Sequence, residues 1–147
     1  ESVCQRTHPA AADGATVDFD DRLKEQSFGE WEGVLTSDMS PEDAEILRRI
    51  YRDGEDLPRG RTGETFAALT DRLAGFIGTV RLDPGQRTAI VSHGAAIKAA
   101  VAHVLGGTVD IQSNLAVSPN TGVSHIAFTT GGPMLMDYAI APHLERP

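Results

Sequence analysis

The spacing of apolar residues divides the chain into helical and extended segments. Residues 64–80 place apolar side chains three and four positions apart, which predicts an amphipathic helix packed against a core. Residues 96–105 repeat this pattern and stop at Gly106-Gly107. Between them, residues 88–92 are too apolar for a half-exposed strand and suit the centre of a parallel sheet. A helix, a strand and a second helix in this order indicate an α/β layer.

Other elements are predicted by local signals. A helix starts at Ser40-Pro41, where a capping hydroxyl, a proline and two acidic residues complete the first turn. Residues 53–63 lack periodicity, so we expect an exposed loop that borders a site. Residues 123–128 and 134–140 predict a hairpin near a sheet edge, and residues 16–19 alternate like a short strand. The buried stripe of the first helix is expected to be Ile46, Leu47, Ile50 and Tyr51.

Composition narrows the class of protein. The 147 residues and the hydrophobic fraction of 40% suit one domain covering residues 1–147. The net charge of -8, without any basic run, disfavours binding to nucleic acid or to an anionic membrane surface. No apolar run approaches the roughly 20 residues that span a bilayer, and the first residues do not resemble a signal peptide. We therefore expect a cytoplasmic protein.

The turn at Ser92-His93-Gly94 is the first candidate for chemistry. It follows the predicted strand and opens the next helix, where backbone N–H groups and the helix dipole favour anions such as phosphate. His93 in this position suits a general acid or base, or a donor to a phosphoryl oxygen. The alternative is a histidine that only caps the turn by hydrogen bonding. We prefer the functional interpretation, because Gly94 allows close approach of the backbone.

A second candidate lies at residues 23–33, where three carboxylates surround the only tryptophan and glycines stand on both sides of it. Two glycines so close predict a tight, non-helical path. A carboxylate beside an aromatic wall can have a raised pKa and donate a proton to a leaving group. Alternatively, Trp31 and Phe28 are packing anchors, and for Glu30 and Glu32 we prefer solvated side chains.

These motifs together resemble the histidine phosphatase superfamily, the phosphoglycerate mutase-like enzymes, and specifically their phosphatase branch. Residues 23–33 look like that branch's Leu-x-Glu-x-x-Phe-Gly-x-Trp-Glu-Gly motif, and residues 91–94 look like its Val-Ser-His-Gly turn. Residues 62–65 with Arg72 resemble its Gly-Glu-Ser/Thr helix start, and residues 120–124 resemble the segment that enters a late strand. The resemblance runs from about residue 3 to the end of the chain.

The resemblance implies a three-layer α/β/α fold with a mostly parallel central sheet. It also implies a phosphomonoester hydrolase that forms a phosphohistidine, with a small phosphorylated substrate and without a metal or cofactor. Glu25 matches the family's proton donor, and His93 matches the second histidine, which holds the transferring phosphoryl group. Contacts with phosphate or substrate are expected from Arg6, Ser92, Gly94 and Asn120.

The sequence departs from the family pattern at its beginning. The nucleophilic histidine of the family belongs to a first-strand Arg-His-Gly motif, and none occurs here. If Thr7 is aligned with the family's threonine, Val3 stands where a second arginine is expected, and Arg6 is an imperfect substitute. We therefore expect that N-terminal sequence, including a central strand, is missing. The alternative to a phosphatase is a catalytically inactive binding or scaffolding protein of the same fold.

Overall fold

The computed structural model describes residues 17–107, 111 and 114–144, and in them it contains three α-helices and one β-hairpin. The helices are α1 (Pro41–Arg52), α2 (Phe66–Ile77) and α3 (Gly94–Val104). The strands are β1 (Val123–Thr129) and β2 (Gly132–Ile140). Single 3-10 turns lie at Asp21–Leu23, Gly29–Trp31, Thr36–Asp38 and Pro142–Leu144. None of the described helices is long and apolar enough to cross a membrane.

Helix α1 begins as its sequence predicts. The Ser40 hydroxyl accepts a hydrogen bond from the backbone N–H of Asp43 at 3.1 Å, and Pro41 occupies the first turn. Of the expected stripe, Ile50 is buried and Ile46 and Leu47 are half-buried. Tyr51 is exposed, so that part of the prediction is wrong. Its ring lies 5.6 Å from the Arg59 guanidinium instead of in the core.

The core of the domain lies between α2 and α3. The Thr65 hydroxyl caps α2 by accepting from the N–H of Ala68 at 3.1 Å, and the helix ends near Gly78. Both predicted helices are confirmed, and α3 contributes three alanines to the cluster that it shares with α2, which allows the two helices to approach closely. The buried cluster contains Phe66, Leu69 and Leu73 from α2 and Ala96, Ala99 and Ala102 from α3.

The hairpin is confirmed, and β1 pairs antiparallel with β2 from Val123 opposite Ile140 to Thr129 opposite Gly132. The structure differs at residues 88–92, which lie in no strand. Ile90 is 45% exposed and Val91 is 83% exposed, since no strand among the described residues lies beside them. Residues 17–19 also lie outside any strand. The described sheet therefore has two antiparallel strands, and a parallel central sheet is not seen in this part of the chain.

Glycines allow two loops, residues 27–31 and residues 59–64, to touch through their backbones. Glu64 N–H donates to the Ser27 carbonyl at 2.9 Å, and Glu30 N–H donates to the Gly60 carbonyl at 3.1 Å. A Cβ atom at Gly63 would overlap the Ser27 carbonyl oxygen. Gly29 has a φ of +53°, in agreement with the tight path that was predicted for its loop.

Substitution of Gly63 by alanine should destabilise the protein, because the added methyl group collides with backbone atoms that cannot move independently. We expect the free energy of unfolding to fall by about 2 kcal/mol or more. The matched control is Gly75→Ala in α2, where a Cβ meets nothing within 4 Å and should stabilise the helix by about 1 kcal/mol. Urea unfolding measures both values, and equal effects at the two positions would contradict the close packing of the loops.

The 147-residue chain should aggregate or pair residues 88–92 with a partner strand, for example as a homodimer, because the described residues place no strand beside them. Exposed apolar side chains next to backbone groups without sheet partners promote such pairing. We expect Val91→Lys to reduce self-association in light scattering. Leu35→Lys, at a residue of similar exposure elsewhere, should change it little. A monodisperse monomer that melts cooperatively would contradict this prediction.

Candidate functional site

The Glu25 carboxylate lies at the N-terminus of α3. Its Oε1 atom accepts from the N–H of Ala96 at 3.1 Å, and its Oε2 atom accepts from the N–H of Ala95 at 3.3 Å. These bonds join residues that are 70 and 71 positions apart in the chain. The helix end that was expected to favour an anion therefore holds a carboxylate from the chain itself. The structure thus brings Glu25 to the turn that contains His93.

His93 is the residue that precedes α3. Its backbone is extended, with φ of -115° and ψ of 169°, and its carbonyl accepts from the N–H of Ile97 at 2.8 Å. The imidazole makes no capping hydrogen bond to the helix. The half-buried His93 side chain therefore does not cap α3, and its role beyond the turn stays a prediction.

Two neighbours of His93 have structural tasks in this turn. The Ser92 hydroxyl donates to the Leu23 carbonyl at 2.7 Å. A phosphate oxygen is an acceptor, so this hydroxyl proton is already committed elsewhere. Gly94 lies in a narrow place, because a Cβ atom there would be 3.0 Å from Val117 Cγ1 and 4.0 Å from Glu25 Oε2. Both residues thus hold the turn close to the segment that carries Glu25.

Hydrogen bonds within the described residues do not connect Asn120 to this cluster. Asn120 is exposed, and its backbone carbonyl accepts from the Thr121 hydroxyl at 2.5 Å. Its side chain makes no hydrogen bond to Glu25, Ser92 or His93 among the described residues. Arg6 lies outside the described residues.

Arg72 and Glu64 are two residues for which the sequence indicated no individual role. The Arg72 guanidinium binds Glu64 in a bidentate manner, with Nε to Oε1 at 2.8 Å and Nη2 to Oε2 at 2.7 Å. Glu64 Oε2 also accepts from the N–H of Ser27 at 3.1 Å. Hydrogen bonding from Arg72, with a smaller contribution from Ser27, holds the pKa of Glu64 below its ordinary value despite partial burial. Their presence in a resembling helix start was the only signal in the sequence.

The expectation of an exposed loop at residues 53–63 is wrong at Arg59, which is only 2% exposed. Its Nη1 group donates to the Leu57 carbonyl at 3.0 Å, and burial lowers the pKa of its guanidinium. The close packing of residues 59–64 on residues 27–31 draws this arginine inward. Arg61 remains exposed and pairs with Asp43 at 3.1 Å. Among the described residues, no group of three His, Cys, Asp or Glu side chains is placed to hold a metal ion.

Glu64→Gln should make the free energy of unfolding less dependent on pH between pH 7 and pH 3. Because the folded chain lowers the Glu64 pKa, the ion pair stabilises the fold fully above the ordinary value of 4.5. This contribution is lost as the pH falls through the lower pKa of the folded state. Unfolding free energies measured from pH 7 to pH 3 should therefore fall less steeply in the variant. Glu45→Gln, which removes an exposed pair with Arg48, should change the slope less, and the reverse ranking would contradict the prediction.

Relatives with similar sequences include phosphatases and mutases. The chain is 33% identical over 130 residues to "Uncharacterized phosphatase PhoE" of Bacillus subtilis, covering 88% of this chain and 60% of that protein. It is 32% identical over 100 residues to "Probable phosphoglycerate mutase GpmB" of Salmonella newport, covering 66% of this chain and 45% of that protein. The chain thus spans about half of the length of these curated relatives.

Solved structures share the fold. Bacillus stearothermophilus YhfR superimposes with a TM-score of 0.71 at 22% identity, over 86% of this chain and 62% of that one. A mycobacterial glucosyl-3-phosphoglycerate phosphatase solved with inorganic phosphate gives a TM-score of 0.64 at 19% identity, over 86% of this chain and 66% of that one. These neighbours support an α/β, phosphoglycerate mutase-like fold. The family model of the histidine phosphatase superfamily (branch 1) matches residues 3–141, and the chain therefore belongs to this superfamily.

Proposed function

We propose that the complete protein hydrolyses phosphomonoesters through a phosphohistidine intermediate, with Glu25 as proton donor and His93 as a ligand of the transferring phosphoryl group. The observation that carries this proposal is the meeting of Glu25 with the His93 turn at the N-terminus of α3. A proton donor for the leaving oxygen and an imidazole that binds an equatorial oxygen are two groups that assist phosphoryl transfer. The phosphatases and mutases among the relatives support the same reaction class.

The attacking histidine in this proposal comes from a part of the protein outside these 147 residues. Its nitrogen forms a bond to phosphorus while the ester P–O bond breaks, and the leaving oxygen takes the proton of Glu25. Water then attacks the phosphohistidine, and the Glu25 carboxylate accepts a proton from that water. The P–N bond breaks, which releases inorganic phosphate and restores both residues.

Several groups are proposed to bind the oxygens of the phosphoryl group. His93, when protonated, donates to an equatorial oxygen, and the α3 N-terminus adds a favourable dipole. Arg6 and Asn120 are proposed to contact phosphate or substrate with their side chains. Ser92 and Gly94 are proposed to do so through backbone N–H groups, since the Ser92 hydroxyl is bound to Leu23. The substrate is proposed to be a small phosphorylated molecule.

Glu25→Gln and His93→Ala should each reduce turnover in the protein expressed from its complete reading frame. We expect kcat for an alkyl phosphate such as glycerol 2-phosphate to fall by about 10²- to 10³-fold in each variant. Phosphate release measures this loss. The matched control is Glu30→Gln, in the same loop but exposed, which should remain within about twofold of the parent. Undiminished turnover in both variants would show that the site is assigned wrongly.

A catalytically inactive binding or scaffolding protein is the second candidate, favoured by the absence of Arg-His-Gly from these 147 residues. Intact mass and N-terminal sequencing of the purified native protein distinguish the two candidates. An Arg-His-Gly motif upstream of Glu1 supports the phosphatase. A native start at Glu1 leaves no attacking histidine and contradicts it, although vanadate binding without turnover would still raise the melting temperature.

A further inference from the structure

Four consecutive backbone carbonyls lead to Glu25, and each accepts a hydrogen bond from a distant side chain. Arg72 Nη1 donates to the carbonyls of Arg22 at 2.8 Å and Lys24 at 3.0 Å, and its Nη2 donates to the carbonyl of Glu25 at 3.2 Å. The Ser92 hydroxyl donates to the carbonyl of Leu23, which lies between Arg22 and Lys24 in the chain. In proteins most hydrogen bonds to backbone groups come from other backbone groups, and loops are more mobile than helices and strands. A loop segment in which four successive carbonyls bind side chains is therefore unusually constrained.

We infer that Arg72 and Ser92 are positioning residues that hold the backbone of residues 22–25, so that the Glu25 carboxyl keeps a defined distance from His93. The inference rests on the proposed role of Glu25 as proton donor. It adds a task for two side chains that donate to the backbone of residues 22–25 and not to the Glu25 carboxylate.

Arg72 is suited to this task because every one of its donors is used. A guanidinium has five N–H groups, and here two bind the Glu64 carboxylate and three bind the carbonyls of residues 22, 24 and 25. Glu64 fixes the plane of the guanidinium and is itself fixed by the N–H of Ser27. Lysine retains the charge but not the planar fork, so it cannot reproduce these five bonds.

Ser92 supplies the link to the other side of the site. It is adjacent to His93, and Leu23 is two residues before Glu25, so one hydrogen bond of 2.7 Å ties the two functional segments together. The Glu25 carboxylate is held separately by the N–H groups of Ala95 and Ala96. The proton donor is therefore constrained at both its backbone and its carboxyl group. A displacement of about 1 Å in such an arrangement costs on the order of 10²-fold in rate.

The test compares two substrates in the protein expressed from its complete reading frame. An alkyl phosphate needs protonation of its leaving oxygen, whereas 4-nitrophenyl phosphate has a much better leaving group and needs it far less. For Arg72→Lys and Ser92→Ala we expect kcat on glycerol 2-phosphate to fall roughly 10- to 100-fold. On 4-nitrophenyl phosphate the fall should be about twofold or less, with KM little changed on both substrates. Arg48→Lys, an exposed arginine paired with Glu45, should alter neither.

The outcomes separate this inference from the proposed function. Equal losses on the two substrates, or no loss on either, would overturn the positioning role. Glu25→Gln can lose more kcat on glycerol 2-phosphate than on 4-nitrophenyl phosphate while the Arg72 and Ser92 variants do not. In that case the positioning role fails, and the proposed role of Glu25 as proton donor is supported. If Glu25→Gln also lacks the difference, the proposed role of Glu25 fails as well. Thermal melting identifies a variant that does not fold. If Arg72→Lys is such a variant, Ser92→Ala, which removes a single hydrogen bond, tests the positioning role alone.

Discussion

The hydrogen bonding of the Arg72 guanidinium is the interaction that connects the helix core to the candidate site. A largely buried arginine is costly unless its donors are satisfied, and here Glu64 and three backbone carbonyls satisfy all of them. The side chain extends from α2, which is anchored in the core, to a segment that has little regular structure of its own. The packing of α2 is thereby transmitted to the backbone that carries Glu25.

The helix core and the touching loops support this interaction from two directions. The alanines of α3 let it lie close against α2, so that the N-terminus of α3 and Arg72 face the same segment. Gly63 brings residues 59–64 onto residues 27–31 and places Glu64 beside Ser27. The candidate site therefore rests on a helix pair and on two loops in which glycines stand at points of close backbone contact. Changes far from Glu25 and His93 can disturb it through either route.

Local patterns predicted what is local in this fold. Helix α1 with its Ser40 cap, the apolar periods of α2 and α3, and the hairpin all follow from short stretches of sequence. Tyr51, Arg59 and residues 88–92 differ from expectation because their burial depends on neighbours distant in the chain. The meeting of Glu25 with the His93 turn was implied only by family resemblance, since no periodicity connects residues so far apart. The five bonds of Arg72 were outside the reach of any pattern for the same reason.

A crystal structure of the complete protein with vanadate tests the central claim most directly. Vanadate imitates the trigonal arrangement of phosphorus during transfer. We expect vanadate beside the α3 N-terminus, with the His93 imidazole on an equatorial oxygen and the Glu25 carboxyl facing the apical oxygen opposite the attacking histidine. Vanadate bound elsewhere, or bound here with neither residue in hydrogen-bonding contact, would contradict it.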